Sequence, residues 1–152
     1  MRRWLPTLVL IAMPSLALSA PSGMIAPPPG LDPASKAALA ESVRLIEADR
    51  YCEALPLLED LAVDAPDNAD VFNLLGYVHR KMDELDVSAA HYARALSLDP
   101  NHLATLSYQG KLFLQLGDLD KATANLARLE TLCGACEERD ELKAAMDASQ
   151  TQ

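Results

Sequence analysis

Aromatic side chains are scarce in this chain, at 5% of 152 residues, with one tryptophan, four tyrosines and two phenylalanines. A core of ordinary size must then be assembled from Leu, Ala and Val, a set that suits packed helices. Strand signals are missing as well: no alternating branched residues flank an Asn-Gly or similar turn. Positive charge is in short supply, with 13 Lys and Arg against 22 Asp and Glu and a formal net charge of -9. Phosphate backbones select basic faces, so this balance argues against a nucleic-acid partner, and equally against passive adhesion to anionic lipid. There is no glycine-rich phosphate loop, and no Ser or Cys is placed with a His and an acid as nucleophilic catalysis requires. Neither an enzyme nor a bound cofactor is therefore expected. The length allows one modest domain.

The chain also lacks an uninterrupted apolar run of the roughly 18–20 residues that a membrane span needs. What stands at the N-terminus is shorter. Arg2 and Arg3 precede an apolar stretch from Leu5 to Leu18, broken by Pro6 and Pro14, and "ALSA" closes it with small residues. That is the pattern of a cleaved export signal over 1–20, with a cut after Ser19 or one to three residues later. No cysteine follows the apolar stretch, so a lipoprotein attachment is not expected. Loss of the two arginines takes the mature chain to about -11. The expected location is periplasmic or secreted, with no stable membrane insertion after cleavage. Residues 21–33, "PSGMIAPPPGLDP", read as an extended linker. Asp32 before Pro33 is a helix start: a capping carboxylate, then a proline where no N–H is missed.

From there the chain repeats at a fixed interval. Pro66 and Pro100 lie 34 apart, as do Ser42, Gly76 and Gly110, and Asp49, Asp83 and Gly117. Tyr51, Leu85 and Leu119 share one apolar register, and Leu58, Tyr92 and Leu126 another. Small residues at Gly76 and Gly110 let helices approach closely, and apolar residues at three-and-four spacing give each helix a stripe to bury. Asp99-Pro100-Asn101 is expected to end one helix and cap the next.

The register resembles the tetratricopeptide repeat, a 34-residue helix–turn–helix unit. The second copy is closest to the family pattern, with Phe72, Leu75, Gly76, Tyr92, Ala95, Leu96 and Pro100 on family positions. The third has Gln109 where Leu is usual and Gly134 where Pro is usual. The first is degenerate, with Ala38, Glu41 and Ser42. The resemblance implies an all-α fold, a right-handed α-solenoid of three repeats (35–68, 69–102 and 103–136). A capping helix at 137–148 would follow, then a frayed tail at 149–152. One unit cannot bury its own apolar face, so three stacked units are near the minimum for stability.

The resemblance further implies a concave groove lined by the first helix of each repeat, holding a protein or peptide partner. Family positions put Leu39, Ala40, Val43 and Ile46 at one end of it. Asn73, Tyr77, Arg80 and Lys81 follow from the second repeat, then Tyr108, Lys111 and Gln115 from the third. Three cations on one face of so acidic a chain suit a segment carrying an aromatic and an acidic group. The opposing reading is that Arg80 and Lys81 cap a helix C-terminus and pair with nearby acids. Family members that clamp a terminal carboxylate carry Lys, Asn and Arg where this chain has Leu39, Val43, Leu74, Ala104 and Tyr108. That subtype is not expected.

His79, His91 and His102 are assigned to different faces, so no shared metal is expected. Cys133 and Cys136 sit in "CGAC", where one helix ends and the last begins. In an oxidising compartment a disulfide is the first reading, since cysteines within one helical turn lie about 5 Å apart at Cα. Its closed loop is tiny, so the gain is about 2 kcal/mol. A redox pair is the second: Cys136 at a helix start favours thiolate, "CGAC" looks like the thioredoxin-type motif, and Glu137, Glu138, Asp140 and Glu141 oppose it. A two-thiolate Cu(I) site is the third, two ligands short of structural zinc. Cys52 reads as a buried small apolar residue, with a free thiol able to link chains as the alternative. The function expected is an exported adaptor for envelope assembly or maturation. A thiol-redox or copper-handling accessory protein using the cysteine pair is the alternative.

Overall fold

The computed structural model describes residues 30–149. The expected export segment, most of the linker and the tail from 150 lie outside the described residues. Those residues form seven helices and no strand: α1 Pro33–Glu47, α2 Tyr51–Asp64, α3 Ala69–Lys81, α4 Leu85–Leu98, α5 Leu103–Gln115, α6 Leu119–Cys133 and α7 Glu137–Ser149. None of them is long and apolar enough to cross a membrane. The fold is an all-α helical-repeat stack.

Each helix begins and ends for a chemical reason. The Asp32 carboxylate accepts from the N–H groups of Ala34 and Ser35 at 2.8 and 3.1 Å, with Pro33 in the first turn of α1. The three pairs α1–α2, α3–α4 and α5–α6 close through one repeated turn. Asp49, Asp83 and Gly117 all take left-handed backbone, with φ of 57°, 65° and 75°. At each turn the next N–H reaches back five residues: Arg50 to Leu45, Glu84 to His79 and Asp118 to Phe113, at 2.8–2.9 Å. This is the Schellman ending, which satisfies carbonyls that the helix leaves bare. Between repeats the cap on α5 is His102 rather than Asn101. Its Nδ1 accepts from the Thr105 N–H at 3.2 Å, while Asn101 N–H donates to Asp99 in the preceding turn. Pro56 lies inside α2, where it has no N–H to give to the carbonyl of Cys52.

Packing is organised in two layers. The first helices of the units touch in succession, α1 on α3, α3 on α5 and α5 on α7. Among the described residues α2, α4 and α6 do not touch one another. A layer whose members are in contact is shorter than one whose members are spread, so the stack curves toward α1, α3, α5 and α7. Apolar burial is concentrated at two places. Leu45, Ala54, Leu58, Leu61, Val71, Leu75 and Val78 unite α1, α2 and α3, and Leu106, Ala122, Leu129, Leu142 and Met146 unite α5, α6 and α7. Tyr92 and Ala95 of α4 are fully buried between them.

Close approach explains two glycines. A Cβ on Gly76 would stand 2.5 Å from Cδ1 of Tyr92, and one on Gly110 would stand 2.5 Å from Cδ2 of Leu142. Ser88 secures the first contact by donating its hydroxyl to the Gly76 carbonyl at 2.7 Å.

Where a copy departs from the pattern, a second departure answers it. Gln109 meets Asn125, whose Nδ2 donates to the Gln109 side chain and to the Leu106 carbonyl at 3.0 and 3.1 Å. His79 meets His91: their rings stack with centroids 5.1 Å apart and planes 9° from parallel. The assignment of the histidines to different faces is corrected for this pair. The rings lie face to face rather than converging their nitrogens on a point. Among the described residues no group of three or more His, Cys, Asp or Glu is placed to hold a metal ion.

Candidate functional site

A row of half-buried tyrosines runs along the inner layer. Tyr77 of α3 and Tyr108 of α5 lie with ring centroids 5.0 Å apart, and Tyr51 at the start of α2 extends the row, 6.4 Å from Tyr77. Each ring carries one cation over its face. Lys81 Nζ stands 5.6 Å from the Tyr51 centroid, the Arg80 guanidinium 5.4 Å from Tyr77, and Lys111 Nζ 5.1 Å from Tyr108. Such pairings favour the cation over the ring quadrupole and hold it partly desolvated.

The cations differ in what else they touch. Lys111 is bound to Glu141 of α7 at 2.6 Å. Arg80 donates to the Gln115 side-chain oxygen at 3.1 Å. Neither Arg80 nor Lys81 has a carboxylate within 4 Å among the described residues, so the reading that they pair with nearby acids does not hold. Other cations do pair, as Arg44 with Glu41, Arg94 with Asp67 and Lys121 with Asp118 show. Burial raises the Tyr108 hydroxyl above the ordinary phenol value, with Glu141 the next cause. Tyr51 is raised chiefly by its hydrogen bond to Asp49. Tyr51 and Tyr108 therefore keep their phenol protons at physiological pH.

Asn73 is the exception among the residues assigned to the groove. It is 5% exposed, and its side-chain oxygen accepts from the Thr105 hydroxyl at 3.1 Å. Asn73 is thus part of a seam between α3 and α5. The same seam holds His102 Nε2 against Asp70 at 2.9 Å and, at its far end, Arg80 against Gln115. Asp70 raises His102 above its ordinary value, and the reciprocal bond lowers Asp70.

Two groove residues escaped the sequence pattern. Tyr51 shares its register with Leu85 and Leu119, which carry no aromatic ring, and only the approach of α2 to α3 puts its ring against Tyr77. Glu141 had a signal: it lies 34 residues after Ser107, so α7 continues the groove-facing register as a fourth first helix. Glu138, 34 after Ala104, follows the same rule and acts on both Tyr108 and His102.

Cys133 and Cys136 join the end of α6 to the start of α7 with their sulfurs at bonding distance and Cα atoms 5.8 Å apart. Cys52 is exposed, which corrects the expectation that it is buried. α2 turns it outward beside exposed Glu53, while Ala54 and Leu58 take the buried side.

Comparison with known proteins agrees with this architecture. Residues 69–102 match the family model described as tetratricopeptide repeat. A curated relative, the cell division cycle protein 27 homolog of Caenorhabditis elegans, is 41% identical over 56 residues. That match covers 37% of this chain and 7% of the relative, so the chain spans a small part of that protein's length. Among solved structures, the type III secretion translocator chaperone SycD of Yersinia enterocolitica superposes with a TM-score of 0.70 at 17% identity, covering 80% of this chain and 95% of that one. PcrH in complex with the chaperone-binding region of PopD gives 0.67 at 20% identity, covering 80% and 96%. At these identities the likeness speaks for the fold. Residues 69–102 match a tetratricopeptide repeat, and the described helices stack in a tetratricopeptide-repeat-like fold.

Proposed function

We propose that this protein is an exported adaptor that holds a peptide or protein segment in its concave groove, without catalysis, in envelope assembly or maturation. The observation that carries the reading is the row Tyr51–Tyr77–Tyr108 with a cation over each ring. Aromatic and arginine side chains gathered on a concave face are the groups that most often anchor a partner. The solved relative PcrH is described in complex with a region of PopD, which supports peptide capture by this fold. Export rests on the composition of residues 1–20.

Selection from a random peptide library on the intact protein, repeated on Tyr77→Ala, tests the groove. Enriched peptides should lose capture on the variant while its helicity is unchanged. Peptides that bind both proteins alike would place recognition elsewhere. Intact mass of the protein recovered from the envelope tests export, the expected product starting near residue 20.

The joined pair Cys133–Cys136 supports a second reading, a thiol-redox or copper-handling accessory role. It requires that Cys133→Ser remove the activity and that groove variants leave it intact.

A further inference from the structure

The three groove cations are not equivalent, and the difference has a direction. At the α2–α3 end, Lys81 and Arg80 stand over Tyr51 and Tyr77 with no carboxylate within 4 Å among the described residues. At the α7 end, Glu141 takes Lys111 at 2.6 Å, and Glu138 adds a second negative charge beside Tyr108. Both acids come from the helix that closes the stack. Arg80 also bonds Gln115, and both cations lie in the last turn of α3, where positive charge is favoured, yet no acid of the described residues neutralises either one. Arg128, which also lacks a carboxylate, shows the structural use of such a group: it donates to the Pro100 carbonyl.

We propose that the groove is electrostatically polar and receives an acidic peptide segment bearing an aromatic side chain, with its carboxylates toward Arg80 and Lys81. The segment's ring packs on the Tyr77–Tyr108 pair. Glu141 acts as an internal competitor: it occupies Lys111 as a partner's carboxylate would, and so confines acid recognition to the other end. Charge complementarity sets which segments enter and how they are oriented, and the tyrosines supply contact area. This rests on the groove being the binding surface.

The test uses the full chain and three probes: random copolymers of glutamate with tyrosine, glutamate with alanine, and lysine with tyrosine, followed by fluorescence anisotropy. The glutamate–tyrosine copolymer should bind best, and added salt should weaken it. Arg80→Gln with Lys81→Gln should reduce that affinity on the order of tenfold. Glu141→Gln should raise it severalfold by freeing Lys111, a gain that a damaged fold does not produce. Equal or tighter binding of the lysine–tyrosine copolymer, or an unchanged affinity in Glu141→Gln, overturns the proposed polarity. Tyr77→Ala separates the two claims. If it abolishes binding while the lysine copolymer is preferred, the groove stands and its polarity is wrong. If it changes nothing for any probe, the groove itself is the wrong surface and the proposal falls with it.

Discussion

The ring of Tyr92 occupies the space that a side chain at Gly76 would need, with Cδ1 and Cε1 at 2.5 and 2.6 Å from where a Cβ would stand. Tyr92 is fully buried, so its ring has nowhere to turn. Gly76→Ala should therefore destabilise the fold by about 1–3 kcal/mol, although alanine is the better helix former. Gly110→Ala meets the methyl ends of Leu142, which can rotate, and should cost less. Urea denaturation of the two variants checks the order.

The left-handed turn residues give a prediction of opposite sign at neighbouring copies. Asp83 holds φ of 65° with a β-carbon, where Gly117 has none. Asp83→Gly should be neutral or stabilising by up to about 1 kcal/mol, and Gly117→Ala destabilising by a similar amount. Asp49 is a poorer test because its carboxylate also binds the Tyr51 hydroxyl. Thermal melts of the two single variants would settle the signs.

Stability should depend on pH through two histidines acting oppositely. The bond to Asp70 raises His102 above its ordinary 6.5, so its contribution is complete below 6.5 and is lost as pH rises through the raised value. Protonation also removes the Nδ1 lone pair that caps α5, so the Asp70 bond outweighs the cap in setting this direction. Asp70 itself is lowered below 3.8, so its contribution is complete above 3.8 and is lost as pH falls through the lowered value. His91 is lowered by burial and then by His79, so stability falls as pH drops below 6.5 toward its lowered value. Asp70→Asn should flatten the loss above 6.5, and His91→Leu should remove its share of the loss below. Denaturation midpoints measured across pH 4 to 8 would show both.

Thiol chemistry should sort the three cysteines cleanly. Under oxidising conditions the native protein should react with one equivalent of a thiol reagent, at exposed Cys52, and with three after reduction. Cys133→Ser should lower stability by about 2 kcal/mol or less, because the closed loop is so short, and leave peptide capture intact. Loss of capture with an unchanged fold would move the function to the cysteine pair.

The helical-repeat fold was legible because its causes recur at a fixed interval. Gly76 and Gly110 mark helix approach, and Asp49, Asp83 and Gly117 mark one kind of turn. What recurred less regularly was harder to read. Compensation runs between facing helices rather than along the register, so His79 with His91 and Gln109 with Asn125 are 12 and 16 residues apart. The Asn73 amide stood on a groove position yet turned inward, because Thr105 of the next unit offered its hydroxyl. Glu141 shows the converse: the register reached it, but a helix read as a solubilising cap was not expected to supply a groove residue.

The seams between units are unequal, and that sets where the stack is frailest. Between α3 and α5, Asp70–His102, Asn73–Thr105 and Arg80–Gln115 form a line of polar bonds, and Lys111–Glu141 fastens α5 to α7. Between α1 and α3 no such bond occurs among the described residues, and apolar contact alone joins them. In a linear array a terminal unit has one neighbour only, so parting begins at an end, and the C-terminal end is fastened by Lys111–Glu141 and by the Cys133–Cys136 link. The N-terminal helix pair has only its apolar core against α3, and its departure would carry Tyr51 away from Tyr77 and dismantle one end of the row. Amide hydrogen exchange in α1 and α2 should run ahead of exchange in α3 to α6, making the groove shorten from one side before the molecule melts.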